Sequence, residues 1–406
     1  TAISHLSHKS EERQAAIAEA GGIPLVVSVL ITASGNVKET SMIGLCSLAA
    51  DAVSALSKSN PANQLACNEA GAIPPLVTML GSPQPEMQAT AAGAISALSR
   101  ENTENQAAVA RTGAIAPLCT NVRDGSPETK ERSASALWAL ATDNAPNKAT
   151  IAKLGGIEPL VSLLVGGGSD KSQSCASGAL SSLSAKHSEN RVAIAKRLVG
   201  LLGSRVAERA VRVLSAISDM CFENVANQIA IAKASGISAL VTWMSGGLDK
   251  FSFSAEAQRE AARAVLSVAS NNPTTQVLVA KMGGIPVLIE LVSKSQQETQ
   301  EHAARALWHL CGNNESKVLI AESGGIKPLV SMLSVDDSHA QELAAVVISR
   351  LSRKNATVSL AIAQAGGILP LIKLIRSGAS EVAQLQAAAA IGEVAAVPDT
   401  RDSIAE

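Results

Sequence analysis

The sequence predicts an all-α fold, a right-handed α-solenoid in which about nine three-helix repeats stack into a superhelix. A glycine corner of the form GGI, or a close variant, recurs along the chain, most often 41 or 42 residues apart. Each corner is preceded by a short polar-apolar stretch and followed by an apolar run such as PLVVSVL, and then by a longer stretch such as AAGAISALS. The isoleucines of the corners stand at positions 23, 73, 115, 157, 237, 285, 326 and 368.

One repeat illustrates why this spacing predicts three helices. Residues 104–113 form a short helix with an apolar face, and Gly113 ends it because glycine adopts the left-handed conformation at low cost. Pro117 then lies in the first turn of the second helix, where its missing N–H costs nothing. The third helix, residues 128–142, carries Leu137 and Ala141 on one face at helical spacing. Because no such unit buries its apolar face alone, we expect the repeats to stack.

The corner EAGGIPLV and the third-helix strings ALWALATDN and ALWHLCGNN resemble armadillo repeats, most closely the general armadillo-only type of cytoplasmic scaffolds. The resemblance covers nearly the whole chain, and the HEAT repeat, with two helices and no glycine corner, is the weaker alternative. We therefore expect a single armadillo-repeat domain over residues 1–406, with a partial third helix at 1–9 and a partial repeat at 397–406. The repeats are predicted at 10–58, 60–101, 102–143, 144–186, 187–219 (degenerate), 220–270, 271–312, 313–354 and 355–396.

Three stretches interrupt the period. The loops ITASGNVKETS and GGLDKFSFSAEA carry insertions of 8 and 6 residues, which inter-repeat loops tolerate. The degenerate repeat lacks the GGI corner and its proline, and Leu180 and Leu214 are 34 residues apart instead of 42. We expect its first two helices to merge or kink and the superhelical curvature to change near residues 196–204. The alternative is sequence drift in a repeat that still packs normally.

Composition excludes several classes of function. The formal net charge is −1, from 34 basic and 35 acidic residues, and aromatic residues make up 1%, so neither the electrostatics nor the stacking that nucleic-acid binding needs is present. No apolar run approaches the roughly 18 residues of a transmembrane helix. The six cysteines are scattered singly among apolar residues, which indicates a reducing compartment. We expect a eukaryotic cytoplasmic protein, with the nucleus or cytoskeleton as alternatives.

The sequence contains no convincing site for catalysis, cofactor or metal. LLVGGGSDKSQS, residues 163–174, looks like a phosphate-binding loop, but Asp170 precedes Lys171 and the preceding segment is helical, so we interpret it as a solvated turn between two helices. His302 and His309 are seven residues apart, whereas a helical metal pair needs a spacing nearer four and further ligands. We predict that the protein is not an enzyme and binds no cofactor.

The third helices offer the remaining functional surface, a concave groove. In armadillo proteins that bind nuclear localisation signals, the resemblance implies a ladder of Trp with Asn four residues later. Of ten equivalent pairs in this chain, two carry Trp and none carries Asn; the degenerate repeat contributes Ser215 and Asp219. An importin-alpha-like function is therefore rejected.

The groove nevertheless has candidate partner-binding residues. His8, Lys58 and Arg100 form a basic run over the N-terminal repeats, with Arg353 far away, and an acidic extended segment would meet the first three in turn. The simpler interpretation, that these cations are only solvated, is favoured by the sequence alone. Trp138 and Trp308 are either partner anchors or core filling, and we favour anchors.

The inserted loop contains two of the three phenylalanines, Phe251 and Phe253. They either fold back on the neighbouring repeat, the favoured interpretation, or hook a partner. The leading functional hypothesis is a non-enzymatic protein-interaction scaffold that binds extended segments or partner surfaces along the groove. A targeting module of a larger enzyme, such as a ubiquitin ligase, and a structural subunit of a large assembly are the alternatives.

Overall fold

The computed structural model describes residues 10–35, 40–204, 206–246, 254–312, 314–377 and 380–400, which form 26 α-helices, one short 3-10 helix and no strand. The first thirteen helices are α1 (Glu11–Glu19), α2 (Gly22–Ser34), α3 (Thr40–Ser57), α4 (Pro61–Glu69), α5 (Ile73–Leu80), α6 (Pro85–Ser99), α7 (Thr103–Arg111), α8 (Ile115–Asp124), α9 (Pro127–Ala141), α10 (Ala145–Lys153), α11 (Ile157–Val165), α12 (Asp170–Ser184) and α13 (Ser188–Leu201). The others are α14 (Ala207–Cys221), α15 (Val225–Lys233), α16 (Gly236–Met244), α17 (Ala255–Ala269), α18 (Pro273–Lys281), α19 (Gly284–Lys294), α20 (Gln297–Leu310), α21 (Asn314–Glu322), α22 (Ile326–Met332), α23 (Ser338–Ser352), α24 (Ala356–Gln364), α25 (Ile368–Ser377) and α26 (Glu381–Ala395), followed by the 3-10 turn Pro398–Thr400.

The first and second helices of a repeat meet at a sharp elbow. Three such pairs, α1–α2, α18–α19 and α24–α25, bend by 77°, 83° and 87°. Gly113 ends α7 with φ 87°, so the predicted left-handed stop is confirmed, and glycines occupy the equivalent position of six other repeats with φ between 74° and 88°. Ser235 has φ 61° at the same corner, where a side chain is strained.

A second recurring turn joins each third helix to the next repeat. At seven of these turns the second residue after the helix has positive φ, between 49° and 58°, and none of the seven is glycine. An asparagine usually follows and caps the next first helix: Asn102, for example, accepts a hydrogen bond from the N–H of Asn105 at 3.0 Å. Asparagine tolerates this role because its short side chain bonds the local backbone.

The core lies between the helices of neighbouring repeats. Third helices pack on third helices, as α6 does on α9 and α9 on α12, and their buried faces are rich in alanine. In α9, Ala134, Ala136 and Ala141 are fully buried together with Leu137 and Leu140. Small side chains allow close approach of the helices, so the core is thin and dense.

The degenerate repeat confirms one prediction and corrects another. Its first two helices are merged into the single helix α13, since no glycine corner interrupts residues 188–201. The third helices on either side begin at Asp170 and Ala207, 37 residues apart. The sequence analysis expected a step of 34 residues here, so the predicted deletion was too large and the predicted register was wrong by three residues. The helix α14 runs to Cys221, past the predicted repeat end at residue 219.

The chain divides into two compact units, Thr1–Arg197 and Leu198–Glu406. Each is an α-solenoid of stacked helical repeats. The single-domain assignment and the change in curvature near residues 196–204 stay predictions. No described helix is by itself long and apolar enough to cross a bilayer; three bent pairs reach that length and composition only when both arms are counted together.

Candidate partner-binding grooves of the third helices

We call the surface of α3, α6, α9 and α12 the first groove and that of α14, α17, α20 and α23 the second groove. Serine hydroxyls link neighbouring helices along both. Ser96 and Ser135 lie 2.9 Å apart in the first groove, and Ser218 and Ser267 lie 2.8 Å apart in the second. These short polar links keep successive third helices in register, so the groove side chains hold defined positions.

Trp138 is half-buried in the first groove and packs against the next repeat. A Cβ atom at Gly178 of α12 would stand 2.6 Å from Cδ2 and Cε2 of the indole ring, so the ring occupies the space that glycine leaves open. The guanidinium of Arg100 lies 5.5 Å from the ring centroid, within the range of a cation–π contact. Trp138 therefore takes part in packing between repeats while keeping part of its ring accessible.

An arginine spans three repeats of the first groove. Arg132 of α9 is 2.7 Å from Glu128 on its own helix and 3.4 Å from Asp51 on α3. It passes over α6 at Gly93, where a Cβ would lie 3.2 Å from Nη1 of the arginine. Because all three charged groups are partly exposed, this network contributes little stability, but it fixes where charge lies on the groove surface.

The predicted basic residues Lys58, Arg100 and Arg353 share one structural position. Each follows the last residue of a third helix and is exposed. The main-chain carbonyl of each accepts a hydrogen bond from a side chain of the first helix of the same repeat. The donors are Gln14 to Lys58 at 3.2 Å, Gln64 to Arg100 at 3.2 Å and Lys317 to Arg353 at 2.6 Å. Lys58 and Arg100 therefore lie on successive repeats with fixed backbones and exposed side chains, whereas Arg353 belongs to the other unit.

A buried polar staple that the sequence analysis missed connects the repeats. We define the staple by its best-formed copy, Asn102, Asn105 and Gln106. Asn105 donates to the carbonyls of Leu98 and Gln64 at 3.0 and 2.9 Å, and Gln106 donates to Ala139 and Thr142 at 2.9 and 3.2 Å. These bonds satisfy carbonyl groups that helix ends leave unpaired. The spacing Asn-x-x-Asn-Gln, repeated at residues 60–64, 102–106 and 224–228, was the available signal.

The staple also fixes the register of the degenerate repeat. In its well-formed copies the second staple residue donates to a carbonyl seven residues earlier, as Asn105 does to Leu98 and Asn227 to Met220. Met220 is thus equivalent to Leu98, and the ladder positions of this repeat are Ser218 and Phe222. The predicted pair, Ser215 and Asp219, lies three residues too early because the deletion was overestimated.

The second groove contains a pocket of about 590 Å³ around Trp308. The guanidinium of Arg350 stacks 4.1 Å from the centroid of the indole ring, and the imidazole of His309 meets it edge-on at 4.8 Å. His309 Nε2 lies 3.3 Å from the hydroxyl of Ser270. Trp308 is half-buried. Like Trp138, which has Arg100 near its ring, it forms a cation–π contact with an arginine of the same chain.

Burial lowers the pKa of two histidines of this pocket, His302 and His309. Desolvation, with Arg350 as a smaller cause, lowers the pKa of His309 to about 4. Desolvation also lowers the pKa of His302, whose Nδ1 is buried without a hydrogen-bond partner. His339, in contrast, is exposed and lies 3.3 Å from Glu301. The structure brings His302 and His309 into one pocket, but the described residues contain no group of three His, Cys, Asp or Glu side chains that could hold a metal ion.

A family model described as armadillo/beta-catenin-like repeat matches residues 60–100, 271–312 and 313–353. Each match covers one three-helix unit with its glycine corner. Two matches end at the cap of a third helix, Arg100 and Arg353, and the other ends at Gly312, one residue after the cap Cys311. These units are armadillo repeats. The armadillo prediction and the all-α solenoid fold are thus confirmed.

One solved structure supports the all-α solenoid fold. A crystal structure of an engineered protein from the Northeast Structural Genomics Consortium is 27% identical, with a TM-score of 0.57 over 97% of this chain and 93% of that chain. A second engineered protein from the same consortium is 26% identical, with a TM-score of 0.42 over 70% of this chain and 96% of that one. No curated protein matches the sequence.

The glycine-rich loop of residues 163–174 is a turn between α11 and α12, as predicted. Ser169 caps α12 and Lys171 forms an ion pair with Glu131 at 2.6 Å. The loop borders a pocket of about 780 Å³. Three carboxylates around this pocket already hold basic partners: Glu128 with Arg132, Glu131 with Lys171, and Glu158 with Arg197.

The cysteines of the armadillo core are inert. All six are free and buried, and burial raises the pKa of their thiols, to about 11 for Cys119 and about 12 for Cys311. They stay protonated at neutral pH and act as small apolar side chains. The remaining predicted site residues, His8, Phe251 and Phe253, lie outside the described residues.

Proposed function

We propose that this armadillo chain is a non-enzymatic scaffold that binds partner proteins, in particular extended segments laid along its third helices. One observation carries the proposal: Lys58 and Arg100 are exposed at equivalent positions of successive repeats, and neither forms an ion pair with another described residue. An extended acidic segment would meet these cations in turn, about one helix diameter or 10 Å apart. Trp138 offers apolar surface at the next repeat.

The electrostatics of the first groove support an oriented partner. Arg132 is neutralised by Asp51 and Glu128, which leaves Lys58 and Arg100 as cations available to a ligand at the rim. Rim charges act mainly on association rate and on orientation. We therefore expect binding to weaken with salt, because exposed charges are screened over a Debye length of about 8 Å at physiological ionic strength.

The test uses the full-length protein. Wild type and the variants Lys58→Glu, Arg100→Glu and Trp138→Ala are purified with their bound proteins, which are quantified by mass spectrometry, and each recovered partner is then titrated against the purified variants. Charge reversal is expected to weaken affinity at least about tenfold. Lys153→Glu and Arg111→Glu, exposed on first helices, are matched controls. Unchanged recovery in all three groove variants would exclude the groove assignment.

We also propose that the protein works in a reducing compartment, the eukaryotic cytoplasm. Six free, buried thiols in a chain without a disulfide among them support this assignment. Fluorescence microscopy of the tagged full-length protein tests it, and a signal confined to the secretory pathway would overturn it.

A further inference from the structure

The pocket of the second groove is apolar at its centre. Trp308, Leu266 and Val346 are half-buried there, and Phe222 extends from the end of α14 with 68% of its surface exposed. A phenylalanine at this cap position is unusual in the chain, since the equivalent residues include Lys58, Arg100 and Thr142. Four consecutive third helices thus line one depression whose floor offers apolar and aromatic contact.

Two of the three arginines at the rim of this pocket are paired with carboxylates. Arg263 lies 3.0 Å from Asp219 and 2.9 Å from Glu260, and Arg305 lies 2.7 Å from Glu301. Arg350 is stacked on Trp308. Desolvation lowers the pKa of the buried histidines His302 and His309, which disfavours their charged forms. A ligand therefore meets only one arginine without a carboxylate partner among the described rim residues, Arg350, whose guanidinium lies over the indole ring.

Two carboxylates of the same rim lack a basic partner. Glu223 is exposed beside Phe222, and neither it nor Glu342 forms an ion pair with any other residue in the described part of the chain. Glu342 is half-buried on α23 and accepts one hydrogen bond, from the hydroxyl of Ser380 at 2.6 Å. Two such carboxylates outnumber the one arginine without a carboxylate partner, Arg350. The uncompensated charge among the described pocket residues is therefore negative, and charge complementarity favours a cationic ligand.

We propose that this pocket binds an extended segment of a partner protein that inserts a large apolar side chain between Trp308 and Phe222 and places a lysine or arginine beside it on Glu342 or Glu223. The cation is directed to the carboxylates because Arg350 already occupies the face of the indole ring. The proposal rests on the proposed use of the third helices as a binding surface, but it concerns a different groove and a ligand of opposite charge from the acidic segment of the first groove.

A displayed library of random segments tests the proposal for a partner of any sequence. Segments of about twelve residues, long enough at about 3.3 Å per residue to cross four helices, are selected on the purified full-length protein at physiological salt. The best segment is then synthesised and titrated by fluorescence anisotropy against wild type, Trp308→Ala and Glu342→Gln. Matched controls are Trp138→Ala in the first groove and Glu315→Gln, an exposed carboxylate of α21.

We expect the selected segments to combine a Leu, Met, Phe or Trp with a Lys or Arg within two residues of it. Affinity should fall at least about tenfold in Trp308→Ala, as for a central anchor, and several-fold in Glu342→Gln, and should stay unchanged in both controls. Glu342→Gln leaves no cavity, so it decides the matter even when Trp308→Ala destabilises the fold.

Several results would overturn the proposal: failure to select any segment, selection of acidic segments, or affinities that are insensitive to Glu342→Gln. Binding that depends on Trp138 instead of Trp308 would overturn it while supporting the first groove. Failure of the proposed function would give a different result: the Lys58→Glu, Arg100→Glu and Trp138→Ala variants would recover the same partners as wild type.

Discussion

Trp138 of α9 packs directly over Gly178 of α12, so closely that a Cβ atom at Gly178 would stand 2.6 Å from the indole carbons. The contact joins two successive third helices of the first groove. It explains why an exposed-looking tryptophan in an aromatic-poor chain is half-buried. The small residue of one repeat and the large residue of its neighbour form a single packing unit.

Gly178→Ala should therefore destabilise the protein and displace the indole. We expect a loss of about 1–3 kcal/mol from overpacking, measured by urea unfolding followed by circular dichroism, together with a shift in tryptophan emission. Gly44→Ala in α3 is the matched control: a Cβ there meets nothing within 4 Å, so alanine should raise helix stability by up to about 1 kcal/mol. Equal effects of the two substitutions would contradict the contact.

Ser235→Gly should stabilise the second unit. Ser235 adopts φ 61° at a corner where seven other repeats have glycine, and relief of left-handed strain outweighs the extra chain entropy of glycine by about 0.5–1 kcal/mol. Thermal unfolding measures the gain. The reverse change at an intact corner, Gly113→Ser, should cost about 1 kcal/mol, and a gain there would argue against strain at this position.

Asn105→Ala should break one staple. The change removes the side-chain amide that donates hydrogen bonds to the main-chain carbonyls of Leu98 and Gln64. We expect the loss of these two bonds to cost about 2 kcal/mol of stability. Asn105→Thr should recover part of the loss, because Thr275 occupies the same position in another repeat and donates to Val268 at 2.6 Å. Urea unfolding of both variants and of Asn68→Ala, a half-buried control on α4, checks this; similar losses in all three would discount the staple.

Lys148→Gln should change how stability depends on pH. Lys148 donates to the carbonyl of Ala185 at 2.7 Å where other repeats use glutamine, and burial lowers the pKa of its ammonium from 10.5. Between the folded and unfolded pKa the unfolded chain binds more protons, so stability contributed by this site rises with pH. The variant should lose that rise in stability with pH and should be more stable than wild type at pH 7.

To test this, the free energies of unfolding of Lys148→Gln and of wild type are measured from about pH 7 to the ordinary lysine pKa of 10.5, and their difference is followed with pH. Lys153→Gln, an exposed lysine on the same helix α10, controls for the loss of one charge. If the Lys148→Gln and wild-type curves run parallel, burial of the ammonium is not the cause.

Lys171→Ala should leave folding and partner binding almost unchanged. Its ion pair with Glu131 is 2.6 Å long, but 78% of the lysine side chain is exposed, and such pairs contribute less than about 1 kcal/mol. Calorimetric titration with a nucleoside triphosphate and thermal unfolding check the variant against wild type. A nucleotide affinity that the substitution abolishes would restore the phosphate-loop interpretation.

Local sequence patterns were enough to predict the repeat and its glycine corner, and to predict that the two helices now joined in α13 would merge or kink. These features follow from local preferences: glycine at positive φ ends a helix, proline begins the next, and without both the chain stays helical. Helical periodicity likewise predicted buried residues such as Leu137 and Ala141, which are fully covered.

The side-chain contacts in the grooves, in contrast, could not be predicted from the sequence and became known from the folded chain. Arg132 forms an ion pair with Asp51, 81 residues away in the sequence. Trp138 packs against a glycine of the next repeat, Gly178. Phe222 lines the pocket of Trp308, which the sequence analysis missed because it overestimated the deletion in the fifth repeat. The spacing of asparagine and glutamine was visible in the sequence. Their side-chain amides, however, donate to carbonyls of neighbouring repeats, which only the stacked structure shows. Such contacts depend on the distance between helices and on side-chain reach, which local preferences do not specify.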